Sequence, residues 1–295
     1  MPMSLEKLQR QIKTTQELRE IVSTMKLLSS VSILQYEQAG AALEKYRRNL
    51  RTAFQALIRR YGLPHPAKSK AQPKYLLILI GSDNGMVGKF NQEIIKAVRA
   101  DLRQKGVSPQ QALFLVVGKR LNMLVEQQKW PVYARYGLSN SVKVVNTLAE
   151  SIILRIDEAT QAPRVSHVVA WFHQRGKNQP VKLENRQLLP FNLSALRTLK
   201  DKPWPTNNIP LLTLSVEQMF SALVREMLLI GMSGLLNQSL VAEHWTRMTN
   251  MQNAEKNIDD NLAELDKKYQ QSRQEQITDE LIDVISGVTA LEKKK

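Results

Sequence analysis

Cysteine is absent from this 295-residue sequence. Its absence excludes disulfide bonds, thiolate metal ligands and cysteine nucleophiles, and it is typical of a protein in a reducing compartment. Uninterrupted apolar runs of roughly 18 residues are also absent, which predicts that no segment crosses a membrane. The first residues have neither the apolar core of a secretory signal nor an Arg- and Ser-rich leader, so we expect no targeting segment.

Proline and glycine are scarce at both ends of the chain. Residues 4–61 contain no proline and only one glycine, Gly40, and residues 235–286 contain neither. Apolar side chains in both segments recur at steps of three and four, which predicts two long amphipathic helices. Ser215 and Gln218 form a capping-box pattern ahead of the second helix. Helices this long bury their apolar stripes most simply on each other, as an antiparallel coiled coil.

Negative charge is scarce over the whole chain, whose formal net charge is +15. Such an excess favours an anionic partner: nucleic acid, a membrane surface or an acidic protein. The two ends differ in sign, because residues 1–62 hold 11 Lys/Arg against 5 Asp/Glu and residues 215–295 hold 9 against 13. This difference favours pairing of the two predicted helices, although exposed ion pairs contribute little each.

The middle of the chain has a different pattern. The runs KYLLILIG (74–81) and ALFLVVGK (112–119) are short and continuously apolar, which is typical of strands buried on both faces of a parallel sheet. Alternating strands and helices predict an α/β domain. Further strands are predicted at 132–139, 165–174 and 179–189, and helices at 90–104 and 142–160. The predicted domains are an N-terminal helix (1–62), an α/β domain (72–192), a linker (193–214) and a C-terminal helix (215–295).

Three glycines follow the first predicted strand, in GSDNGMVGKF (81–90), where nucleotide-binding folds place their phosphate-binding turn. A P-loop is excluded because Gly85 stands one residue too early and because Phe90 replaces the required Ser or Thr. A dinucleotide fingerprint is excluded by the G-x-x-x-G-x-x-G spacing and by the lack of an acid after the second strand. We interpret the stretch as a strand-to-helix turn in which Gly81 and Gly85 adopt unusual backbone angles.

The sequence offers no candidate for catalysis or metal binding. None of the histidines has a partner at metal-ligand spacing, and we expect them at surface or strand positions. They are His65, His167, His173 and His244. Without cysteine and without a G-x-S-x-G elbow, no nucleophile is visible. We therefore predict no catalytic residue, no cofactor and no metal.

Two C-terminal stretches resemble a known family. AEHWTRMTNMQNAEKN (242–257) and KYQQSRQEQITDELIDVISGVTAL (268–291) resemble the signature of the gamma subunits of F-type ATP synthases. RQIKTTQELREIVSTMKLLSS (10–30) and GSDNGMVGKFN (81–91) resemble the family more loosely. The shared residues include Met25, Lys26, Glu243, His244, Arg247, Met248, Met251, Arg273, Gln274, Thr278 and Glu280. The resemblance covers nearly the whole chain, in order.

The resemblance implies a rotary shaft. The terminal helices would turn inside the alpha–beta hexamer, and a Rossmann-like α/β domain would lie near the epsilon subunit and the c-subunit ring. Catalysis would belong to the beta subunits, with no nucleic acid partner and only indirect membrane contact, at the cytoplasmic face of a bacterial inner membrane. The residues implied in partner contact and shaft coupling are Met25, Lys26, Arg247, Arg273, Gln274, Thr278 and Glu280.

Several residues depart from the family pattern. Asn84, Val87 and Lys89 stand where the family has Arg, Cys and Gly, and Gly231 and Ser233 replace Gln and Tyr. These departures favour, as an alternative, a divergent branch such as the sodium-coupled N-type complexes, working mainly as ATP-driven pumps. Two other hypotheses stay open: a nucleotide-dependent enzyme built on the middle of the chain, and a basic coiled-coil protein for nucleic acid or membranes.

Overall fold

The structure is a computed structural model that describes residues 4–62, 74–138, 141–161, 165–176, 179–191, 196, 198–204, 208 and 214–292, without the side chains of residues 142 and 287–292. Two long helices stand at the ends, α1 (Leu5–Tyr61) and α5 (Val216–Glu292). Between them lie β1 (Tyr75–Ile80), α2 (Phe90–Gln104), β2 (Leu113–Val117), α3 (Lys119–Gln127), β3 (Val132–Tyr136), α4 (Val142–Gln161), β4 (His167–Arg175) and β5 (Val181–Leu189), with a short 3-10 helix at Pro109–Gln111.

The chain divides into two compact units. One is Ser30–Arg247, which contains the sheet and is called the sheet unit below. The other combines Met1–Ser29 with Met248–Lys295 and is called the paired-helix unit. Each of the two long helices therefore contributes residues to both units. The four domain ranges predicted from the sequence stay predictions.

A five-stranded sheet forms the centre of the sheet unit, with the strand order β3-β2-β1-β4-β5. The first four strands in this order pair in parallel, and β5 pairs antiparallel to β4 as the second arm of a hairpin. Parallel neighbours need crossover connections, which α2, α3 and α4 supply. The predicted strands and the α/β class are confirmed.

Both faces of β1 are buried, which explains its uninterrupted apolar run. Leu76, Ile78 and Ile80 point to one face, in a cluster with side chains of α1, α4 and α5. Leu77 and Leu79 point to the other face and pack with side chains of α2 and α3. All five leucines and isoleucines are fully buried. The alternation follows from the two-residue period of a strand.

The two long helices run antiparallel within the sheet unit. Asn237 Nδ2 donates a hydrogen bond to the Tyr36 carbonyl oxygen at 2.8 Å, and the Tyr46 hydroxyl donates to Glu226 Oε1 at 2.9 Å. Residue numbers rise along α1 while those of the partners on α5 fall. Further along the same pair, Phe54 packs in an apolar cluster with side chains of α5.

The paired-helix unit repeats this arrangement with polar contacts. Gln9 Nε2 donates to the Tyr269 hydroxyl at 2.8 Å, Arg19 Nε donates to Asp259 Oδ1 at 2.5 Å, and Lys26 forms an ion pair with Glu255. Falling partner numbers again define an antiparallel pair, so the predicted antiparallel coiled coil is confirmed. The predicted apolar stripe is only partly buried, however. In this unit its exposed members include Leu18, Ile21, Leu28, Ile277, Leu281 and Val284.

Helix boundaries agree with the sequence signals in one place and differ in another. The predicted capping box begins α5: Gln218 N donates to Ser215 Oγ at 3.3 Å, and Ser215 N donates to Gln218 Oε1 at 3.4 Å. Helix α3 was not predicted. It is nine residues long and follows Gly118 without a side-chain cap, so it offers little periodicity to detect. Most of the predicted linker lies outside the described residues.

One described helix is long and apolar enough to cross a membrane by length and composition. Within Val216–Ser286, an 18-residue window has a mean hydropathy of 1.5 and is one-third (33%) buried. The sequence analysis counted only uninterrupted apolar runs and so did not single out this helix; its prediction that no segment crosses a membrane stays a prediction. Helices packed in globular cores meet the same criterion, and Met232, Leu235 and Leu236 of α5 are fully buried in the larger apolar cluster.

Candidate functional site

The turn after β1 is held by a network of polar side chains. Asn91 Oδ1 accepts a hydrogen bond from Ser82 N at 2.9 Å, and Asn91 Nδ2 donates to Ser82 Oγ at 2.9 Å. Asp83 Oδ1 accepts from Lys119 N at 2.9 Å and from Leu138 N at 2.8 Å. The Asp83 carboxylate therefore ties β1 to the start of α3 and to the end of β3. A phosphate could not use these two amides at the same time.

The interpretation of the glycines in this turn needs correction. The residues with positive φ are Met86 (63°) and Gly88 (57°), so Gly81 and Gly85 do not supply the unusual angles. Gly81 is required for space instead. A Cβ atom there would lie 2.5 Å from Asn91 Oδ1 and 2.6 Å from Leu121 Cβ. The sequence could not show this reason, because it depends on the close approach of α2 and α3.

Arg247 closes a buried polar cluster against the same turn. Its Nη2 donates to Glu243 Oε1 at 2.5 Å, one helical turn earlier on α5, and both side chains are almost fully buried. Its Nε donates a longer hydrogen bond, at 3.4 Å, to the Gly85 carbonyl oxygen. Arg247 was predicted in partner contact and shaft coupling. Here it joins α5 to the turn after β1, within the sheet unit.

Burial changes the ionisation of the cluster. Desolvation outweighs the opposing effect of the adjacent Arg247 guanidinium, so the pKa of Glu243 is raised to about 7. Burial and the charge of Arg247 lower the pKa of His244 to about 4. His244 was expected at a surface or strand position, which is wrong. It lies buried on α5, where its ring stacks on Tyr36 with the centroids 5.7 Å apart.

The other predicted contact residues lie in the paired-helix unit. Met25 and Lys26 are half-buried on α1, and Lys26 pairs with Glu255 of α5. The hydrogen bond from Lys26 is the main cause that lowers the pKa of Glu255. This pair thus cross-links the two helices close to Met25.

Four predicted residues lie on the exposed C-terminal part of α5, namely Arg273, Gln274, Thr278 and Glu280. Thr278 Oγ1 donates to the Gln274 carbonyl oxygen at 2.9 Å, and Gln276 Nε2 donates to Glu280 Oε1 at 3.0 Å. These contacts stay within the helix. They leave this surface open to a second molecule, but the role of the four residues in partner contact stays a prediction.

Among the described residues, no group of three or more His, Cys, Asp or Glu side chains could hold a metal ion. The largest cavity described, about 550 Å³, lies between α1, β5 and α5 in the sheet unit and is lined by Arg47, Arg51 and Arg186 together with apolar side chains. None of its lining residues belongs to the signature stretches 242–257 and 268–291.

A family model described as ATP synthase matches residues 4–291. The chain belongs to the ATP synthase gamma family. Among its relatives, the ATP synthase gamma chain of Bdellovibrio bacteriovorus is 26% identical, over 98% of this chain and 99% of that protein. The ATP synthase gamma chain of Paramagnetospirillum magneticum is 27% identical over the same shares. The gamma resemblance of the signature stretches is thus confirmed over almost the full length.

Solved structures agree with this family at the level of the fold. The rotor of the Euglena gracilis mitochondrial ATP synthase matches with a TM-score of 0.59 at 14% identity, over 92% of this chain and 98% of that one. The central stalk of the Tetrahymena thermophila mitochondrial ATP synthase matches with a TM-score of 0.56 at 19% identity, over 79% and 99%. The combination of a central sheet with long terminal helices is therefore that of ATP synthase central stalks.

Sequence reasoning missed how the polar residues near the turn act together. Glu243 and His244 were noted only as signature residues, and Asp83 only as part of the stretch 81–91. The spacing of Glu243 and Arg247 is i, i+4 on a helix, which is the spacing of an intrahelical ion pair. That signal was available, but neither their burial nor the partner of Asp83 could be known before the strand order.

Proposed function

We propose that this chain is the gamma subunit of a rotary F-type ATP synthase. It would couple ion flow through a membrane sector to ATP synthesis or hydrolysis by turning within the alpha–beta hexamer. The observation that carries the proposal is the antiparallel helix pair at the two chain ends, with its cross-helix contacts Gln9–Tyr269, Arg19–Asp259 and Lys26–Glu255, in a chain of this family.

The surface of the paired-helix unit supports a shaft inside a larger assembly. Leu281, Ile282 and Val284 are each more than half exposed on α5, and Leu18 and Ile21 are about half exposed on α1. Exposed apolar side chains in such number are typical of a contact surface for another protein. Alpha and beta subunits are the partners that the family provides, with the epsilon subunit and the c-subunit ring at the other end of the shaft.

The chain would have no catalytic site of its own, and the beta subunits would bind and hydrolyse ATP. Its net charge of +15 would suit acidic surfaces of these neighbours. The place of action would be the cytoplasmic face of a bacterial inner membrane, reached through the complex rather than by direct membrane contact.

Co-assembly tests the proposal. Purified chain is mixed with alpha and beta subunits of the same organism, and ATPase activity is measured on the complex isolated by size exclusion. We expect a stable complex whose activity falls when residues 270–295 are deleted. A chain that elutes alone, and leaves the activity of the other subunits unchanged, contradicts the proposal.

The predicted contact residues can be tested at Met25. Met25→Lys adds a cation beside the existing Lys26–Glu255 pair, at a surface that we propose to face carboxylates of the beta subunits. We expect fewer ions pumped per ATP hydrolysed while the thermal midpoint of the chain is kept. Met25→Leu is the control, and an unchanged pumping ratio in the lysine variant contradicts the assignment.

The sodium-coupled N-type alternative stays a prediction. Its test is the ATPase rate of the assembled complex with and without sodium. A rate that does not change on sodium removal counts against it and leaves the proposal of a gamma subunit intact.

A further inference from the structure

Within the segment Ala242–Arg247 of α5, three residues make contacts with two parts of the sheet unit, the turn after β1 and the end of β4. Ala242 is fully buried in a cluster with Val87 and Phe90, at the end of the turn that follows β1. Trp245 lies under the guanidinium of Arg175, whose Cζ is 3.5 Å from the indole centroid. This second contact reaches β4, where the hairpin with β5 begins.

The third contact is polar and directional. The Arg247 Nε donates to the Gly85 carbonyl oxygen at 3.4 Å, while its Nη2 is held by Glu243 at 2.5 Å. A guanidinium is planar and presents its donors in a fixed fork, so the ion pair with Glu243 orients the donor toward Gly85. Glu243 therefore acts through Arg247.

The turn that receives this contact is itself fixed to the sheet. Asp83 accepts hydrogen bonds from the amides of Lys119, the first residue of α3, and of Leu138, two residues after the end of β3. The neighbouring Ser82 donates a hydrogen bond from its amide to Asn91 Oδ1 of α2. Displacement of the turn would consequently displace the carboxyl-terminal ends of β1 and β3, rather than only a surface loop.

The position of these contacts along α5 is informative. Arg247 is the last residue of α5 that belongs to the sheet unit, and the helix continues from Met248 to Glu292. Any twisting force carried along α5 between its C-terminal part and the sheet must pass residues 242–247. A force that comes from the C-terminal part of α5 therefore reaches these residues before it reaches contacts made by α5 at residue numbers below 242.

We infer that residues 242–247 form a torque clamp, in which Arg247, oriented by Glu243, and Trp245, held by Arg175, lock α5 to the turn after β1 and to the hairpin. The inference rests on the proposed rotary function and names the residues that transmit force between shaft and sheet. Glu243 and Arg175 are positioning residues in this clamp. The clamp resists rotation of α5 because its contacts are made at two separate places, the turn after β1 and the end of β4.

The first experiment measures ATP-driven ion pumping per ATP hydrolysed in membrane vesicles that contain the assembled complex. The variants are Arg247→Lys, which keeps the charge but loses the fork, and Trp245→Leu, which keeps the apolar bulk but loses the ring. Arg225→Gln is the matched control, because Arg225 lies on α5 in an exposed ion pair with Asp157. We expect a loss of pumping per ATP in both clamp variants and none in the control.

Amide hydrogen exchange of the full chain locates the effect. Losing one hydrogen bond to a charged group should speed exchange of the amides at residues 83–88 by about tenfold in Arg247→Lys. The Arg225→Gln control should leave these amides at the parent rate. Unchanged exchange in Arg247→Lys would overturn the inference.

A swapped pair separates the clamp from simple stabilisation. The double variant Glu243→Arg with Arg247→Glu keeps an ion pair at the same spacing but removes the donor that faces Gly85. We expect its thermal midpoint to exceed that of the single variant Arg247→Glu, whereas exchange at residues 83–88 and pumping per ATP stay impaired. Recovery of pumping together with the midpoint would show that the pair only stabilises the fold, and would overturn the clamp.

Failure of the clamp and failure of the proposed function give different results. The parent chain must restore ATP hydrolysis and pumping in the same vesicles, and if it does not, the proposed function fails first. If the parent chain works and both clamp variants pump as many ions per ATP as the parent, only the clamp is refuted.

Discussion

The sheet unit and the paired-helix unit bury their apolar side chains to very different extents. In the sheet unit, the strands β1 and β2 and the helices on both sides enclose two clusters of fully buried residues. In the paired-helix unit, the described core residues are Leu8 and Met251, while much of the predicted stripe is exposed. The same kind of apolar pattern therefore has two different outcomes in one chain.

The difference has a geometric cause. A sheet covered by helices on both faces surrounds each strand with apolar neighbours, so a continuous apolar run is buried completely. Two helices contact each other along one narrow seam, so residues beside the seam stay exposed. A third surface is needed to cover them. The sheet unit thus buries its apolar side chains within itself, whereas the paired-helix unit leaves many exposed, as expected if the proposed partners cover them.

The largest expected effect would test this comparison at one residue in each unit. Phe114 is fully buried and stacks on Trp130, with centroids 4.7 Å apart, whereas Ile282 is 55% exposed. Phe114→Ala should lower the free energy of unfolding by about 3–5 kcal/mol, because it leaves a cavity. Ile282→Ala should change it by less than about 0.5 kcal/mol. Urea unfolding of the free chain checks both, and similar losses at the two sites would break the comparison.

The next effect concerns pH, through the buried Glu243. Its folded pKa of about 7 lies above the ordinary value of 4.5, so between these values the folded state holds a proton that the unfolded state has released. Its contribution to stability is therefore present at low pH and is lost as the pH rises toward 7. Glu243→Gln removes this loss.

The difference in free energy of unfolding between Glu243→Gln and the parent should shift in favour of the variant by up to about 3 kcal/mol as the pH rises from 4.5 to 7. The charged or titratable groups around it are Tyr36 on α1, Asp83 in the turn, and His244 and Arg247 on α5. His244 has the opposite pH dependence, so comparing the variant with the parent isolates the carboxyl. The measurement is the free energy of unfolding of parent and variant across this pH range, with Glu217→Gln as the control. If the free energies of Glu243→Gln and the parent change with pH in parallel, the prediction is contradicted.

A smaller effect would sharpen the comparison inside the sheet unit. A Cβ at Gly81 would lie 2.5 Å from Asn91 Oδ1, whereas a Cβ at Gly85 would have its nearest neighbour, Arg120 Nη2, at 3.7 Å. Gly81→Ala should cost about 1–3 kcal/mol through overpacking. Gly85→Ala, four residues later in the same turn, should stay within about 0.5 kcal/mol of the parent. Equal thermal midpoints for the two variants would contradict the prediction, because they would show that the neighbours of Gly81 shift to make room for the added Cβ.

The smallest effect is expected in the paired-helix unit, at the ion pair of Arg19 with Asp259. Both side chains are about half exposed, so solvent and salt screen their attraction. Arg19→Gln should leave the thermal midpoint unchanged within error at physiological salt and lower it slightly at low salt. Asp259→Asn should behave alike, and a large fall at high salt would show that this unit depends on its ion pairs.

Much of the local structure could be predicted because its signals are local. The capping box of Ser215 and Gln218 predicts the start of α5. The apolar run from Tyr75 to Ile80 predicts a strand that is buried on both faces. Helix α3 was missed because a nine-residue helix without a cap offers few turns over which a period can be recognised.

Other features could not be predicted because they join residues far apart in the chain. Arg247 and Gly85 are separated by 162 positions, and Asp83 and Leu138 by 55. Which of them meet depends on the strand order β3-β2-β1-β4-β5, and no single segment encodes that order. Gly81 is the clearest case, since its two neighbours come from α2 and α3.

The sequence by itself determined the two long helices, the central α/β domain between them and the family, because periodicity, caps and signature residues act over short distances. Only the tertiary structure decided that Gly81 is needed for space, that Glu243 and Arg247 are buried together, and that part of the helical stripe remains exposed. The physical reason is that burial depends on what stands opposite a residue. In this chain, that neighbour comes from another strand or helix, or, on the surface of the paired-helix unit, from the proposed partners.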